Sequence, residues 1–562
     1  MATGSRSLAA DSHLAWTRWL VPSAGDLIFV ALLVLLAFTT LSMRLLGDAG
    51  IGWHIRTGQL ILATHAIPRV DPFSSTTSSI TTGSPWFAWE WLYDLLAGCL
   101  ESAAGLNGVV LFTALIIAVV FSWTFRLLLR RGTDVLVALV LVLLAASASM
   151  IHFLARPHVV SWLFTLVWFW ILESSEKSYG GSPSDSSASA SPAGNTRRNW
   201  LEWLLPLTML VWANVHGGFL VGFVLLAIYW FSASWRWLSL KGDGFDDILE
   251  KIQASRRFRA LTLIGILSAV ATLVNPYGFK LHVHIYRYLS NRFLMDHIDE
   301  FQSPNFHYVA QKCFAGLLLL TLVALAAKSR EAQAKEASAS TGLVVLFAVY
   351  SGLYASRNIP VSSLLLILVI GPWLSEAMER FQQKRRGLAA SRFLQRMEAI
   401  DLTLQGHLWP IAAIVLTCWV ALHGGKLGAR PLMAAHFDGK RFPVAAVDYL
   451  EKQDVQGPLV SPDYWGGYLI YRLYPRVRTV VDDRHDFYGE EFLKSYLKMV
   501  HVEPGWGDFL QQHRAHCVVV PKDSALANIL LETASWKAMY SDDVALLFVR
   551  PAEPQRLQNP SH

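Results

Sequence analysis

Long apolar runs that contain no charged residue constrain this chain more than any other feature. The runs "VVLFTALIIAVVFSW" (109–123) and "VLVALVLVLLAASASM" (135–150) approach the roughly 20 residues that a helix needs to cross a bilayer. The run at 27–43 is too long for the apolar part of a signal peptide and is expected to be a retained anchor. The sequence therefore predicts an α-helical polytopic membrane protein with about 11 transmembrane helices, at about 27–46, 107–129, 134–154, 157–172, 200–215, 217–236, 260–277, 313–328, 341–356, 359–377 and 407–424.

The composition agrees with this class. Of the 562 residues 53% are apolar and 16% are charged, whereas soluble domains carry about 25% charged residues. The net charge of +6 does not indicate a nucleic-acid partner, because the basic clusters "RLLLRR", "SRRFR" and "QQKRRG" lie in short loops between apolar runs. Such loops usually face the cytoplasm. The N-terminus is therefore expected in the cytoplasm and the C-terminal domain outside it. The four scattered cysteines predict neither a disulfide framework nor a zinc site.

The chain divides into two parts by composition. Residues 1–428 are predicted to form the transmembrane domain, with a large first outer loop at 47–106. The Ser/Ala-rich segment 180–195 is predicted to be a cytoplasmic linker. Residues 429–562 read as a small extracytoplasmic α/β domain, because amphipathic helical patterns alternate there with the buried strand "HCVVVP" and a hairpin at 541–543.

Ionisable residues collect in the loops that this topology places outside the cytoplasm. The first outer loop carries Asp48, His54, Asp71 and Glu90. Asp48 directly follows the first span, where a carboxylate could act as a general base; the alternative is an ordinary solvated helix-end charge. Glu90 stands among tryptophans that mark the membrane interface, so we expect it to have a functional partner.

Later outer turns add basic and imidazole groups. Arg156 and Arg357 lie at the outer ends of helical hairpins, and a guanidinium matches the oxygens of a phosphate; the alternative is snorkelling to lipid headgroups. His158, His216 and Glu300 occupy neighbouring outer segments. The histidines could shuttle protons, bind a metal or simply form hydrogen bonds, so a divalent cation stays an open alternative.

Two motifs of the C-terminal domain allow weaker predictions. "VVDDRHDFYG" (480–489) could be a metal-binding or sugar-binding loop at the end of a strand, or a salt-bridged turn. "YWGGYLIYRLYP" (464–475) supplies two glycines and several aromatic residues. It lacks the spacing of a phosphate-binding loop, so it gives little support to a nucleotide site.

Several motifs resemble a known family. "GIGWHIRTG", "IPRVDPFS", "EWLYDLL", "ARP", "NVHGGF", "NPYG" and "WGGYLI…VDDR" are similar to motifs of GT-C-type glycosyltransferases. These polytopic enzymes include protein O-mannosyltransferases and aminoarabinose transferases, and the motifs are closer still to those of a group of bacterial membrane proteins. The resemblance covers most of the membrane part and the tail. It implies a bacterial inner-membrane protein of the cell envelope with a GT-C-like fold.

The resemblance also implies an activity. GT-C enzymes take a sugar from a polyprenyl-phosphate carrier and use an acidic residue of the first outer loop as base, a position that corresponds to Asp48. Many members have two acidic residues there, whereas Ala49 follows Asp48 in this chain. Glu90 or Asp71 corresponds to a second acidic residue, and Arg156 and Arg357 would hold the carrier phosphate. The acceptor would be an extracytoplasmic glycan, lipid or protein. The alternatives are a non-catalytic GT-C-like protein for binding or envelope assembly, and a transporter of lipids or solutes.

Overall fold

A computed structural model of the chain describes residues 19–75, 85–180, 200–240, 244–328, 339–384, 407–453, 455 and 457–551. The predicted linker at 180–195 lies almost wholly outside these residues. The helices up to residue 430 are α1 (Ala24–Phe38), α2 (Leu41–Leu45), α3 (Ile51–Thr64), α4 (Trp91–Arg130), α5 (Val135–Ser149), α6 (His158–Gly180), α7 (Leu205–Val215), α8 (Leu220–Ser239), α9 (Phe245–Ala271), α10 (Lys280–Ser290), α11 (Arg292–His297), α12 (Val309–Ala327), α13 (Ala339–Tyr354), α14 (Ile359–Lys384) and α15 (Leu408–Leu422).

The remaining elements follow in the C-terminal part. They are β1 (Lys426–Leu427), β2 (Arg430–Pro431), α16 (Val444–Lys452), β3 (Pro458–Val460), α17 (Asp463–Leu473), β4 (Arg478–Thr479), α18 (His485–Tyr488), α19 (Glu490–Val500), α20 (Trp506–Gln512), β5 (Cys517–Pro521), α21 (Ala525–Glu532), β6 (Lys537–Ser541) and β7 (Ala545–Val549).

The chain forms two compact units. The first unit contains residues 1–41 and 107–434, and the second contains residues 42–106 and 435–562. The first outer loop, which the sequence analysis counted with the membrane part, thus belongs to the same unit as the C-terminal region. The division falls within α4 next to Gly105, whose backbone leaves helical geometry with φ 61° and ψ −157°. Glycine suits this position because a positive φ is costly for other residues.

The first unit is a polytopic helical membrane structure, as predicted. Every predicted span overlaps a helix, although the bounds differ: the span 27–46 is divided between α1 and α2, and the span 260–277 covers only the end of α9. Within the described part of the chain, six helical segments are long and apolar enough to cross a membrane: Trp91–Arg130, Val135–His152, His158–Glu176, Gly217–Ser239, Val309–Ala327 and Ser356–Phe381. Helices α1, α13 and α15 are apolar but shorter. The number of crossings, about 11 by the length criterion, therefore stays a prediction.

The apolar surface of these helices is consistent with solvation by lipid. On α12, Leu319 and Leu322 are each 63% exposed and Val323 is 56% exposed. A soluble protein would bury such a continuous leucine-rich face. The interior of the unit is equally apolar, with Trp162, Trp168 and other large side chains almost fully buried. Both faces of the spanning helices are thus hydrophobic, as a bilayer requires.

Local capping determines where α5 begins and where its loop lies. Asp134 accepts hydrogen bonds from the backbone N–H groups of Leu136 and Val137, at 2.9 and 3.3 Å. This N-cap satisfies donors that have no partner within the helix. The apolar run then continues to Ser149, and a 3-10 turn at Met150–His152 closes the helix. The chain returns through α6 from His158, so residues 150–158 form the turn between two spanning helices.

The second unit contains the predicted α/β region. Its five-stranded sheet has the order β4-β3-β5-β7-β6, parallel from β4 to β5 and antiparallel from β5 to β6. The predicted strand "HCVVVP" is the central β5, and the predicted hairpin is β6 and β7. Val518, Phe548 and Val460 lie in the core between this sheet and its helices.

The glycines of the "YWGGYLIYRLYP" motif serve close packing. They lie in α17, where a Cβ on Gly467 would be 2.2 Å from the carbonyl oxygen of Ala49, and one on Gly466 would be 2.5 Å from Cα of Asp482. These distances are shorter than any side chain could accept without movement of the backbone. The motif therefore brings α17 against the start of α3 and against the segment after β4.

Candidate functional site

The structure brings the predicted basic and imidazole residues of the first unit together. Arg156 and His158 lie in the turn between α5 and α6, His216 lies between α7 and α8, and Arg357 precedes α14 in the 3-10 turn Ser356–Asn358. Glu300 lies in the 3-10 turn Asp299–Phe301. We call Arg156, His158, His216, Glu300 and Arg357, together with His152, the basic cluster. All five residues predicted for this part of the chain belong to it.

The electrostatics of Glu300 show how close these charges are. Burial raises the pKa of the Glu300 carboxyl, but the imidazole of His152 and the guanidiniums of Arg357 and Arg156 outweigh burial and hold the pKa at about 2. The carboxylate is therefore ionised at neutral pH. Among the members of the basic cluster it is the one carboxylate beside two guanidiniums, so the cluster as defined carries an excess of positive charge.

Hydrogen bonds hold the turns that carry the cluster. The Nε2–H of His158 donates to the carbonyl of His152 at 2.8 Å, and the Nε2–H of His152 donates to the carbonyl of Ser356 at 3.2 Å. The backbone N–H of Ser356 in turn donates to the carbonyl of Gln302 at 2.9 Å. The guanidinium carbon of Arg357 lies 4.5 Å from the centre of the Phe301 ring. These contacts link three segments of the chain, residues 152–158, 299–302 and 356–358.

A second set of hydrogen bonds determines the tautomer of His216. The indole N–H of Trp212 donates to the Ser161 hydroxyl at 2.7 Å, and this hydroxyl donates to Nδ1 of His216 at 2.8 Å. The backbone N–H of Gly218 also donates to Nδ1, at 3.0 Å. Because Nδ1 accepts both bonds, the neutral ring carries its proton on Nε2. Sequence reasoning missed Ser161 and His152, which carry no motif of their own.

The acidic residues of the second unit occupy three different environments. Asp48 is half-buried before α3, and its Oδ1 accepts a hydrogen bond from the backbone N–H of Gly50 at 2.8 Å. This position is consistent with the predicted carboxylate directly after the first span.

Glu90 belongs to a buried group with His54 and Asp94. Nδ1 of His54 lies 2.5 Å from Oδ1 of Asp94, and its Nε2 lies 3.9 Å from Oε2 of Glu90. The three side chains are 1%, 0% and 11% exposed, in the order His54, Asp94 and Glu90. Asp94 was not among the predicted site residues, although it stands four positions after Glu90, a spacing that places two side chains on one helical face.

Asp71 forms part of a buried ion-pair network. Arg484 donates to Asp71 through Nη1 at 2.8 Å and to Asp482 through Nε and Nη2 at 2.8 and 2.6 Å. Burial raises the pKa of Asp71, but Arg484 and the hydrogen bonds from Ser74 and Phe73 lower it below the usual value. The guanidinium also lies among aromatic rings, those of Trp53, Phe73, Trp86 and Phe487.

This geometry favours one of the two readings of "VVDDRHDFYG". Two of its members, Asp482 and Arg484, are paired with each other, and Arg484 is also paired with Asp71 from the first loop. The segment is therefore a salt-bridged turn. Within the residues that the structure describes, no group of three His, Cys, Asp or Glu side chains is arranged to hold a metal ion.

The predicted site residues thus fall into two sets, one in each compact unit. Asp48, His54, Asp71 and Glu90 belong to the second unit, and the basic cluster belongs to the first. The residues of the first set come from one loop, whereas those of the basic cluster come from distant parts of the sequence.

The fold is similar to that of a solved oligosaccharyltransferase. An oligosaccharyltransferase from Archaeoglobus fulgidus matches with a TM-score of 0.51 at 12% identity, over 88% of this chain and 68% of that chain. ArnT from Cupriavidus metallidurans in the apo state matches at 15% identity with a TM-score of 0.49, over 93% of this chain and 97% of that chain. ArnT bound to undecaprenyl phosphate matches at 15% identity with a TM-score of 0.46, over 94% of this chain and 99% of that chain. No family model and no curated protein matches the sequence. At such low identity the likeness to the oligosaccharyltransferase is one of fold alone, and it agrees with the predicted helical membrane architecture followed by an α/β region.

Proposed function

We propose that this protein is a membrane glycosyltransferase that moves a sugar from a polyprenyl-phosphate-linked donor to an acceptor outside the cytoplasm. The observation that carries the proposal is the basic cluster, in which two arginines and two histidines act on the ionised carboxylate of Glu300 in the turns between spanning helices. The proposal places this end of the helices on the outer side of a bacterial inner membrane, with the N-terminus in the cytoplasm.

The charges of the basic cluster support a phosphate ligand. Each guanidinium presents a planar fork of N–H donors that matches two phosphate oxygens. One carboxylate cannot neutralise both Arg156 and Arg357, so a second anion is electrostatically favoured. The contact of Arg357 with the Phe301 ring restricts the plane of its fork. A lipid-linked phosphate lies at the depth where a spanning helix ends, so the depth of the cluster suits a carrier of this class.

The chemistry of transfer needs a base and a stabilised leaving group. In the proposed step, a hydroxyl or amine of the acceptor attacks the anomeric carbon, and the bond from this carbon to the phosphate oxygen breaks. The acceptor proton passes to Asp48, and the arginines stabilise the departing polyprenyl phosphate. Glu90, with His54, is the second candidate base. Asp71 is less suited, because Arg484, Ser74 and Phe73 already occupy its carboxylate.

A binding experiment tests the phosphate site. Undecaprenyl phosphate serves as the probe, titrated into the purified full-length protein. Arg156→Gln and Arg357→Gln should each weaken binding about tenfold or more, because a hydrogen bond to a charged group contributes about 1.5–3 kcal/mol. Arg292→Gln removes an exposed arginine of the nearby α11 and should leave binding unchanged. Equal weakening by all three variants would contradict a specific site.

A transfer experiment tests the base. The full-length protein in proteoliposomes is given a panel of radiolabelled polyprenyl-phosphate sugars with an envelope extract as acceptor. Asp48→Asn should abolish transfer while undecaprenyl phosphate still binds, because asparagine cannot accept the proton. Full activity of this variant would exclude Asp48 as base. Tight binding by the wild type without transfer of any sugar would favour the non-catalytic alternative.

A further inference from the structure

A separate cavity lies at the opposite end of the same helices from the basic cluster. It has a volume of 260 Å³, and its lining includes Arg130, Arg131, Glu173, Phe169, Trp170 and two leucines. Helix α6 begins at His158 in the basic cluster, and Glu173 comes 15 residues later in the same helix. At about 1.5 Å per residue this separation is roughly 22 Å, so the cavity is distinct from the cluster.

The walls of the cavity combine an ionic side with an apolar side. Nη2 of Arg131 lies 3.1 Å from Oε1 of Glu173, and the other carboxylate oxygen accepts a hydrogen bond from the Tyr229 hydroxyl at 2.8 Å. Arg130 is exposed at the cavity. Phe169, Trp170 and two leucines supply the apolar side.

The charges that line the cavity favour an anion. Arg131 pairs with Glu173 through Nη2, and its buried Nε makes no hydrogen bond to any residue in the described part of the chain. One carboxylate therefore serves this guanidinium incompletely, and such a buried donor is costly. Arg130 adds a second positive charge that is exposed at the cavity. The lining thus contains two arginines and one carboxylate, and one further anion would balance its charge.

We propose that this cavity binds the phosphate group of an anionic phospholipid, with the start of an acyl chain against Phe169 and Trp170. The volume is below the roughly 300–1,000 Å³ of pockets that enclose a whole drug-sized ligand, so only a headgroup fits inside it. The apolar wall distinguishes a lipid from free phosphate, which would gain nothing from it. On the predicted topology this is the cytoplasmic side, where the cluster "RLLLRR" meets an anionic lipid surface.

Native mass spectrometry of the full-length protein tests this site. The protein is released from mixed micelles that contain phosphatidylglycerol or phosphatidylcholine, and the lipids that remain bound are counted. We expect preferential retention of phosphatidylglycerol. Arg131→Lys keeps a charge beside Glu173 but lacks the planar guanidinium, and Arg130→Gln removes an exposed charge with little effect on folding. Each should lower the apparent affinity about tenfold.

The matched control is Arg236→Gln. Arg236 lies in the last turn of α8, at the same end of the helices as Arg131, and forms an exposed pair with Glu250 at 3.2 Å. This variant should retain phosphatidylglycerol as the wild type does. Equal retention of both lipids, or an equal loss in all three variants, would overturn the proposal. So would displacement of the lipid by inorganic phosphate at equal concentration, because the apolar wall would then contribute nothing.

Discussion

Replacing Arg484 by leucine should destabilise the second unit strongly. The guanidinium is 2% exposed, and it pairs with Asp71 and Asp482, whose side chains are both 0% exposed. The leucine would leave two carboxylates in an apolar environment without their cation. Removal of one partner from a buried ion pair costs about 3–5 kcal/mol, and we expect the upper part of this range because two carboxylates lose their partner.

The pH dependence of the variant gives a second, independent signature. In the wild type the pKa of Asp71 lies below 3.8, so its contribution to stability is present above that pH and is lost only as the pH falls through the lowered pKa. In the Arg484→Leu variant only the hydrogen bonds from Ser74 and Phe73 still oppose burial, so the pKa of Asp71 rises from its wild-type value. Acidification then protonates the orphaned carboxyl, and the stability gap between variant and wild type narrows as the pH falls.

Hydrogen exchange of the full-length protein measures this effect locally. Peptides that cover residues 69–75 and 478–488 report the free energy of opening without assuming two-state unfolding of the whole chain. Arg472→Leu is the control, since Arg472 pairs at 2.8 and 2.9 Å with Asp448 and Glu451 on the surface. Surface pairs contribute about 0.2–1 kcal/mol.

The double variant Arg484→Leu/Asp71→Asn keeps the reasoning testable if the single variant folds poorly. It removes one orphaned charge and should recover part of the lost stability. Two results would refute the argument that this network is a buried, mutually dependent set of charges. One is a free energy of opening in Arg484→Leu that lies within about 1 kcal/mol of the wild-type value. The other is an equal loss of protection in the Arg472→Leu control.

Three further predictions concern single groups. Glu300→Gln should remove a stabilising contribution that is fully present above pH 4.5 and is lost as the pH falls towards about 2. The thermal unfolding midpoints of variant and wild type, measured in detergent, should therefore become equal as the pH falls. Burial lowers the pKa of His485, but its 2.7 Å pair with Asp463 outweighs burial and raises the pKa overall. His485 therefore stabilises the fold below pH 6.5, and this contribution is lost as the pH rises through the raised pKa. In the same assay, His485→Gln should reduce the dependence of thermal stability on pH in this range. Burial raises the pKa of Cys517 to about 12, so a maleimide should label this thiol only after denaturation, as peptide mapping would show.

Much of the fold follows from local pattern. The apolar runs placed every predicted span on a helix, and "HCVVVP" with the following hairpin gave three strands of the sheet, because burial of a segment leaves a clear pattern in its own residues. Five members of the basic cluster could be anticipated because they lie in the segments between predicted spans, whereas His152 was missed. The hydrogen bonds of the cluster could not be predicted, because Ser161 lies inside an apolar helix and carries no local signal of its hydrogen bond to His216.

The carboxylates of the first outer loop show more clearly what sequence patterns cannot predict. Sequence reasoning selected Asp71 and Glu90 as equivalent carboxylates of one loop. The structure separates them, since Asp71 pairs with Arg484 while Glu90 faces His54. Arg484 stands 413 positions from Asp71, and no local pattern encodes a pair at this separation.

The sequence by itself determined that this protein lies in a membrane, where its helices run and which turns carry charge. Lipid solvation and backbone hydrogen bonding act on each segment separately, so these properties can be read one segment at a time. Only the tertiary structure decided which charges neutralise each other, which imidazole carries its proton on Nε2, and that the first loop forms one compact unit with residues 435–562. These outcomes depend on distances between remote segments, and the electrostatic energy of a buried group changes steeply with such distances.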